Sequence, residues 1–315
     1  MADPINDLEP ASPVEQTYAQ IRDALPAPPD IHGDLAGIAD VIVVAPGVRT
    51  VALRTPTLPP AAHTNCYVLG PTEGSGALVL VDPGSPYPDQ QALLDGWLET
   101  EAAAGRRAVA VVLTHHHADH IGGAAHLRAR WNLEIAAHAL TAPLVAARVK
   151  VDRVIEAGEL RLGDLPLRIH HTPGHAVGHV CLQVPSAGAT AVGDMVAGLG
   201  TILIDPDEGD MAEYLASLEL LEATAPGMLL PAHGPMIGDG VAKLREYRSH
   251  RLRREDKIAA ALAARPGVRA EELVPLAYAD TPAPFWPLAV RSTLAHLEKL
   301  RREGRAVCDR ELRWT

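Results

Sequence analysis

Aromatic side chains are scarce in this chain: one Phe, four Trp and six Tyr, 3% of all residues. Open binding of single-stranded nucleic acid relies on rings that stack with the bases, so this composition offers no evident stacking platform. Cysteine is scarcer still. Cys66, Cys181 and Cys308 lie far apart with no C-x-x-C pair, which excludes a disulfide framework and fits a reducing compartment. Each reads as a small apolar filler and not as a ligand or nucleophile. No apolar run approaches the ~20 residues that a membrane span requires. The first ten residues, MADPINDLEP, are acidic and proline-containing, unlike a secretory signal or an Arg-rich transit peptide. These absences point to a cytoplasmic protein without a membrane partner.

What remains is a globular composition, 47% hydrophobic and 21% charged, in a chain long enough for a substantial core. The net charge of −11 is unevenly spread. Residues 241–315 hold 16 Lys and Arg against 10 Asp and Glu, and the acidic excess lies in 1–240. A basic tail on an acidic body can attract a polyanion. The run Lys243, Arg245, Arg248, Arg251, Arg253, Arg254, Lys257 is interleaved with Glu246, Glu255 and Asp256, as on an ordinary salt-bridged helix.

Residues 1–40 are rich in Pro and Asp and read as a peripheral arm with a short helix over 14–25. From 41 onward, short β-branched and apolar runs alternate with helical spacing. Strands are expected at 41–44, 51–53, 66–69, 77–81, 109–113, 134–137, 165–170, 180–184, 189–192 and 228–230. Helices are expected at 89–104, 122–130 and 211–221. This order implies an α/β layered domain over 41–240. Beyond Gly240 the strand signal ends. One long helix or two abutting ones over 241–265, helices at 271–279 and 286–303, and a small β-wing over 305–314 describe a winged-helix-like domain at 241–315.

The chemistry is concentrated at the end of the strand over 109–113, where the chain reads Thr-His-His-His-Ala-Asp-His. His115, His117, Asp119 and His120 form H-x-H-x-D-H at a turn. Imidazole nitrogens and carboxylate oxygens crowded together make a poor core and a good zinc or iron site. Further donors stand at strand ends: His175 in Thr-Pro-Gly-His, Asp194 in Val-Gly-Asp, His233 in Pro-Ala-His-Gly, and Asp82 in the turn Val-Asp-Pro-Gly.

In this order the residues closely resemble the metallo-β-lactamase superfamily signature, over roughly 41–240. The resemblance implies a four-layer αββα sandwich with a two-metal centre, two Zn2+ or else iron or manganese. His115, His117 and His175 would hold one ion, Asp119, His120 and His233 the other, and Asp194 would bridge them. It also implies hydrolysis by a metal-activated hydroxide, with Asp119 orienting it or taking its proton, and Asp82 fixing a ligand histidine through its other nitrogen.

The stretches Pro231-Ala-His-Gly-Pro-Met-Ile, Tyr247-Arg-Ser-His-Arg, Gly193–Thr201 and Leu297-Glu-Lys-Leu-Arg-Arg-Glu-Gly look like the β-lactamase-like protein 2 family. Its animal members are endoribonucleases, which makes single-stranded RNA the favoured substrate on resemblance. Glyoxalase II shares the Thr-Pro-Gly-His-x-x-Gly-His form, so a thioester, ester or lactone is the small acyl alternative. A mononuclear-iron persulfide dioxygenase and a non-catalytic nucleic-acid-binding module are the remaining readings. His116, His126 and His138 read as non-ligand loop or surface residues, His32 and His63 as solvated, and His179 as a structural hydrogen-bonding residue. His170 and His171 either touch substrate or cap their strand.

Overall fold

The computed structural model describes residues 41–58 and 61–315; the expected arm at 1–40, its helix and His32 lie outside the described residues. An antiparallel run opens the chain: β1 (Ile42–Ala45), β2 (Val48–Arg54), β3 (His63–Leu69) and β4 (Gly76–Val81). Helix α1 (Pro88–Ala103) crosses to β5 (Arg106–Leu113). The short α2 (Ala118–Ile121) and α3 (Ala124–Trp131) lead to β6 (Glu134–His138), and α4 (Ala142–Val145) precedes β7 (Arg153–Ile155). These strands form one sheet in chain order, antiparallel as far as β4 and parallel from β4 to β7.

The second sheet takes β8 (Gly158–Leu162), β9 (Leu165–His171), β10 (Val180–Val184) and β11 (Ala189–Gly193), then α5 (Met211–Ala223) and β12 (Met228–Pro231). Its order is β12-β11-β10-β9-β8, with β11 and β12 parallel and the other pairs antiparallel.

Strand alternation builds the layers. Val79 and Val81 of β4, Ala110 and Val112 of β5, and Val180, Leu182 and Val184 of β10 face the core between the sheets. Leu78, Leu80, Val111 and Leu113 point the other way, onto Leu94 and Leu98 of α1 and Leu127 of α3. On the far side of the second sheet, Cys181, Val192 and Leu229 meet Met211, Tyr214 and Leu218 of α5. Strands buried on both faces explain why β4 and β5 read as unbroken apolar runs. The architecture is the expected αββα sandwich.

After it come α6 (Gly240–Ala264), α7 (Ala270–Ala277) and α8 (Trp286–Arg302). The 241–265 segment is one helix of 25 residues serving two cores. Its first turns put Leu244 and Tyr247 into the sandwich's outer layer. Its last turns put Ile258, Ala261 and Leu262 against Leu273, Val274 and Leu297. The expected wing is present as a minimal hairpin: Val307 and Thr315 exchange backbone hydrogen bonds (2.8 and 2.9 Å), and Trp314 bridges both Cys308 and Val268. Its turn is held locally: the Asp309 carboxylate accepts from the backbone N–H groups of Glu311 (3.0 Å) and Arg313 (2.8 Å), as Asp side chains do in turns.

Candidate metal centre

The parallel pairs place the ends of β4, β5, β11 and β12 at one edge of the sandwich. Backbone bonds stitch the two sheets there: Val180 N–H donates to Thr114 O (2.9 Å) and Asn65 N–H to Ala232 O (2.8 Å). The Tyr67 hydroxyl donates to Pro231 O at 2.8 Å. Close approach sets the glycines. A Cβ on Gly84 would sit 1.7 Å from Asp119 O, so only glycine lets the Asp82 turn pass under the histidine loop.

All seven donor residues of the sequence signature converge at this edge. His117 Nδ1 lies 3.0 Å from both His115 Nε2 and His175 Nε2. Alongside, His233 Nε2 is 3.5 Å from Asp119 Oδ2, and His120 Nε2 is 3.8 Å from Asp119 Oδ1. Asp194 stands between the two groups. Its Oδ2 is 3.5 Å from His175 Nε2, and its Oδ1 is 3.6 Å from His120 Nε2 and 3.4 Å from His233 Nε2. Within each of the triads His115–His117–His175, His115–His120–Asp194 and Asp119–His120–His233, the donor atoms lie within 4.8 Å of one another.

The outward nitrogens are anchored, and the anchors fix what the inward ones can do. Nδ1 of His175 donates to Leu203 O (2.8 Å) and Nδ1 of His233 to His63 O (3.0 Å). His120 Nδ1 donates to Asp82 Oδ2 at 2.8 Å. Asp82 also accepts from the Thr114 hydroxyl (2.6 Å) and backbone N–H (2.8 Å). Thr114 Oγ1 then accepts from His115 Nδ1 at 3.0 Å. A neutral imidazole that donates from one nitrogen presents a lone pair on the other. These histidines therefore aim lone pairs at common points, where a cation satisfies them and another donor-less group does not. His120 Nε2 and Asp194 Oδ1 are buried without a hydrogen-bond partner. The donor set fits two divalent ions.

Charge is distributed to match. Burial and the neighbouring imidazoles push the pKa values of His115 and His175 well below the ordinary histidine range. Burial also disfavours charge on His120, yet Asp119, Asp82 and Asp194 raise it to about 10. Asp119 is held ionised against its burial by His120 and His233. The second triad is thus a pocket that demands positive charge.

The other histidines separate clearly. His179 accepts from Asp194 N–H at Nε2 (3.1 Å) and meets Thr172 Oγ1 through Nδ1 (2.9 Å), a wholly structural role. His126 pairs with Asp95 at 2.8 Å. His138, expected to be a non-ligand on a loop or surface, is a non-ligand but lies buried at the end of β6, stacked on His171 at 4.1 Å. His171 Nε2 meets Val177 O (2.9 Å) and His170 meets Gln183 (3.3 Å). His63, expected to be solvated, is half-buried, and its carbonyl orients His233. One acidic residue of the site had no sequence signal. Glu208 Oε2 lies 2.9 Å from His117 Nε2, and Oε1 lies 3.7 Å from His116 Nε2. It comes from Asp-Pro-Asp-Glu-Gly-Asp over 205–210, which reads as an ordinary acidic turn.

Part of the basic tail's charge is paired with acids. Arg245 and Arg248 of α6 pair with Glu222 and Glu219 of α5 at 2.6 Å. Arg291 and Arg302 of α8 pair with Asp205 and Asp210. Arg254 and Lys257 share Asp280. Much of the tail's excess is matched by the body's acids, which weakens the case for a polyanion surface.

The comparisons agree with the geometry. The Metallo-beta-lactamase superfamily pattern matches residues 59–233, and that of the beta-lactamase associated winged helix domain matches 270–314. A Drosophila melanogaster protein named beta-lactamase-like protein 2 homolog is 30% identical over 254 residues, 77% of this chain and 83% of its own. An atrochrysone carboxyl ACP thioesterase of Aspergillus chevalieri is 28% identical over 260 residues, 79% of this chain and 78% of its own. The crystal structure of a beta-lactamase domain protein from Burkholderia ambifaria superposes with a TM-score of 0.76 at 22% identity, covering 90% of this chain and 96% of that one. With sandwich, donor order and C-terminal domain all in agreement, the chain belongs to the metallo-beta-lactamase superfamily and is a hydrolase of it.

Proposed function

We propose that the chain is a two-metal hydrolase of thioesters, with zinc as the resident ion. The observation that carries the metal half is the convergence of lone pairs from two histidine groups on either side of Asp194. His115, His117 and His175 would hold the first ion and Asp119, His120 and His233 the second, with Asp194 placed between the two groups. When bound, such ions would supply an acidified water and Lewis-acid polarisation of a carbonyl. The chain's own residues do the rest. Asp119, kept ionised by its histidine neighbours, presents an acceptor for the proton of an attacking water. Asp82, Leu203 O and His63 O keep the imidazoles turned inward.

Thioester is favoured over RNA on four grounds. The donor residues present acceptors, and a thiolate leaves without an acid because a thiol pKa is ~8.5; a ribose oxygen needs a proton. Val177 and Leu199, exposed at 42% and 58%, put apolar surface on the loops that bear His175 and Asp194, which suits an acyl group. The paired tail charges and scarce aromatics favour RNA less, and one of the relatives is a thioesterase.

Metal analysis of protein purified without added metal is expected to give near two zinc per chain. An aryl thioester, a lactone and a single-stranded RNA, each offered to wild type and Asp119→Ala, are expected to show thioester turnover that the substitution lowers by about 10²–10⁴-fold. RNA cleavage without thioester turnover would refute the substrate assignment. One iron per chain would refute the two-metal hydrolase itself.

A further inference from the structure

The segment 194–210 links the donor centre to the C-terminal helices, and both of its ends are held by them. At its start, Ala197 N–H donates to the Tyr247 hydroxyl of α6 (2.8 Å), which in turn donates to Gly200 O (2.9 Å). Arg251 of α6 donates to Ile202 O. Toward its end, Arg291 of α8 grips Asp205 through Nε (2.8 Å) and a terminal nitrogen, and also reaches Asp207. Arg302 pairs with Asp210. Asp205 is itself buried, and it folds the turn by accepting from Asp207 N–H at 3.0 Å through its carboxylate and from Gly209 N–H at 2.7 Å through its carbonyl. A buried carboxylate is stable there because a two-pronged guanidinium neutralises it.

From this clamped segment two groups reach the first triad. Leu203 O orients His175. The Glu208 carboxylate accepts from His117 Nε2 at 2.9 Å, leaving His117 Nδ1 as the lone pair that faces His115 and His175. Of the three histidines in the first triad, two are thus turned by a loop whose shape is set from outside the sandwich. His120 and His233 of the second triad are turned by Asp82 and His63 O, which belong to the sandwich itself.

We infer that Glu208 is a positioning residue for His117, and that the C-terminal domain, through Arg291 and Asp205, sets the affinity of the first metal site selectively. The inference rests on the two-metal reading above. A carboxylate on the far nitrogen of a ligand histidine both fixes its tautomer and raises its basicity, and its removal typically weakens metal binding on the order of 10–100-fold. The C-terminal domain is then part of the catalytic apparatus even where it touches no substrate.

The test counts ions on the full-length zinc-loaded protein during chelator titration, with the thermal midpoint of each metal-free variant recorded beside it. Glu208→Ala is expected to lose one ion at a chelator concentration on the order of 10–100-fold below that for wild type, while the second ion is released as in wild type. Glu208→Gln is expected to recover part of the loss, because its amide oxygen still accepts from His117. Arg291→Ala is expected to follow Glu208→Ala. Arg291→Lys is expected not to rescue it, since an ammonium lacks the fork that grips Asp205. Arg248→Ala, which removes a pair to α5 only, is expected to release both ions as wild type does. If Arg291→Ala fails to fold, the two Glu208 variants decide.

Two ions in wild type with unchanged release from Glu208→Ala overturns this inference alone, as does equal weakening of both ions. A wild type that binds no divalent ion overturns the two-metal reading and this inference with it.

Discussion

Asp82 shows how much one side chain holds at this edge. Its φ of 51° is unusual for a non-glycine residue, and three donors repay it: Thr114 N–H, the Thr114 hydroxyl and His120 Nδ1–H. Thr114 and His120 are fully buried. Asp82→Ala strands all three donors, at about 1–3 kcal/mol for each unsatisfied group, against a total stability of about 5–15 kcal/mol for a typical domain. Urea unfolding of metal-free protein is expected to show a loss of several kcal/mol, and Asp82→Asn a smaller one. A loss below ~1 kcal/mol would mean water reaches these groups. At this scale the sequence was legible wherever a donor stood at a strand end in a spaced motif, as His115, His175 and Asp194 do. It was illegible where the backbone acts: His63 matters through its carbonyl and Leu203 likewise, and a carbonyl leaves no mark in residue identity. Glu208 escaped because an acidic turn is commonplace.

Helices carry the next level, and α6 is joined to α8 by a buried acid. Glu255 is 4% exposed. It meets His296 Nδ1 at 3.4 Å, Lys299 Nζ at 3.0 Å and Arg305 at 3.0 Å. Burial opposes its charge, but the bonds from His296 and Lys299 bring its pKa to about 2. An unfolded glutamate titrates near ~4.3. The folded value is the lower one, so this stabilisation is complete above the unfolded pKa and drains away as pH falls toward 2. Glu255→Gln is expected to lower stability at neutral pH and to flatten the decline between pH 4.5 and 2 in denaturant titrations. An unchanged acid limb would place the proton elsewhere. Element boundaries followed the same physics in the sequence. The doubly buried β4, β5 and β10 announced themselves as apolar runs. The edge strands β7 and β8 did not, since they are only three and five residues long and Arg153, Glu159 and Arg161 leave no apolar run. The wing was legible as a loose alternation over 305–314, though its strands are too short to show as runs, and Asp309 holds its turn.

For the whole molecule, the question is whether sandwich and C-terminal domain are separable, and the interface decides against it. Leu244, Tyr247 and Ala295 pack with Met195, Val196, Ile202, Ile204 and Tyr214, all buried sandwich residues at or near the segment that bears Asp194. Re-exposing one large apolar side chain costs roughly 1.5–3 kcal/mol, so several together rival the whole stability of a domain. The exposed ion pairs from Arg245, Arg248 and Arg302 add little each, but Arg291 neutralises the buried Asp205, and removing all four leaves acidic groups bunched. A chain ending at Asp239 would therefore lose its core contacts and gain like-charge repulsion together. It is expected to be insoluble, or to bind an apolar dye and melt without a cooperative transition. A soluble fragment with a sharp transition and two bound ions would show the sandwich to be autonomous. This dependence also limits what deletion can say about a substrate. Activity lost with residues 241–315 would report a collapsed edge at Asp194 as readily as a missing binding surface, and only single substitutions along the interface separate the two.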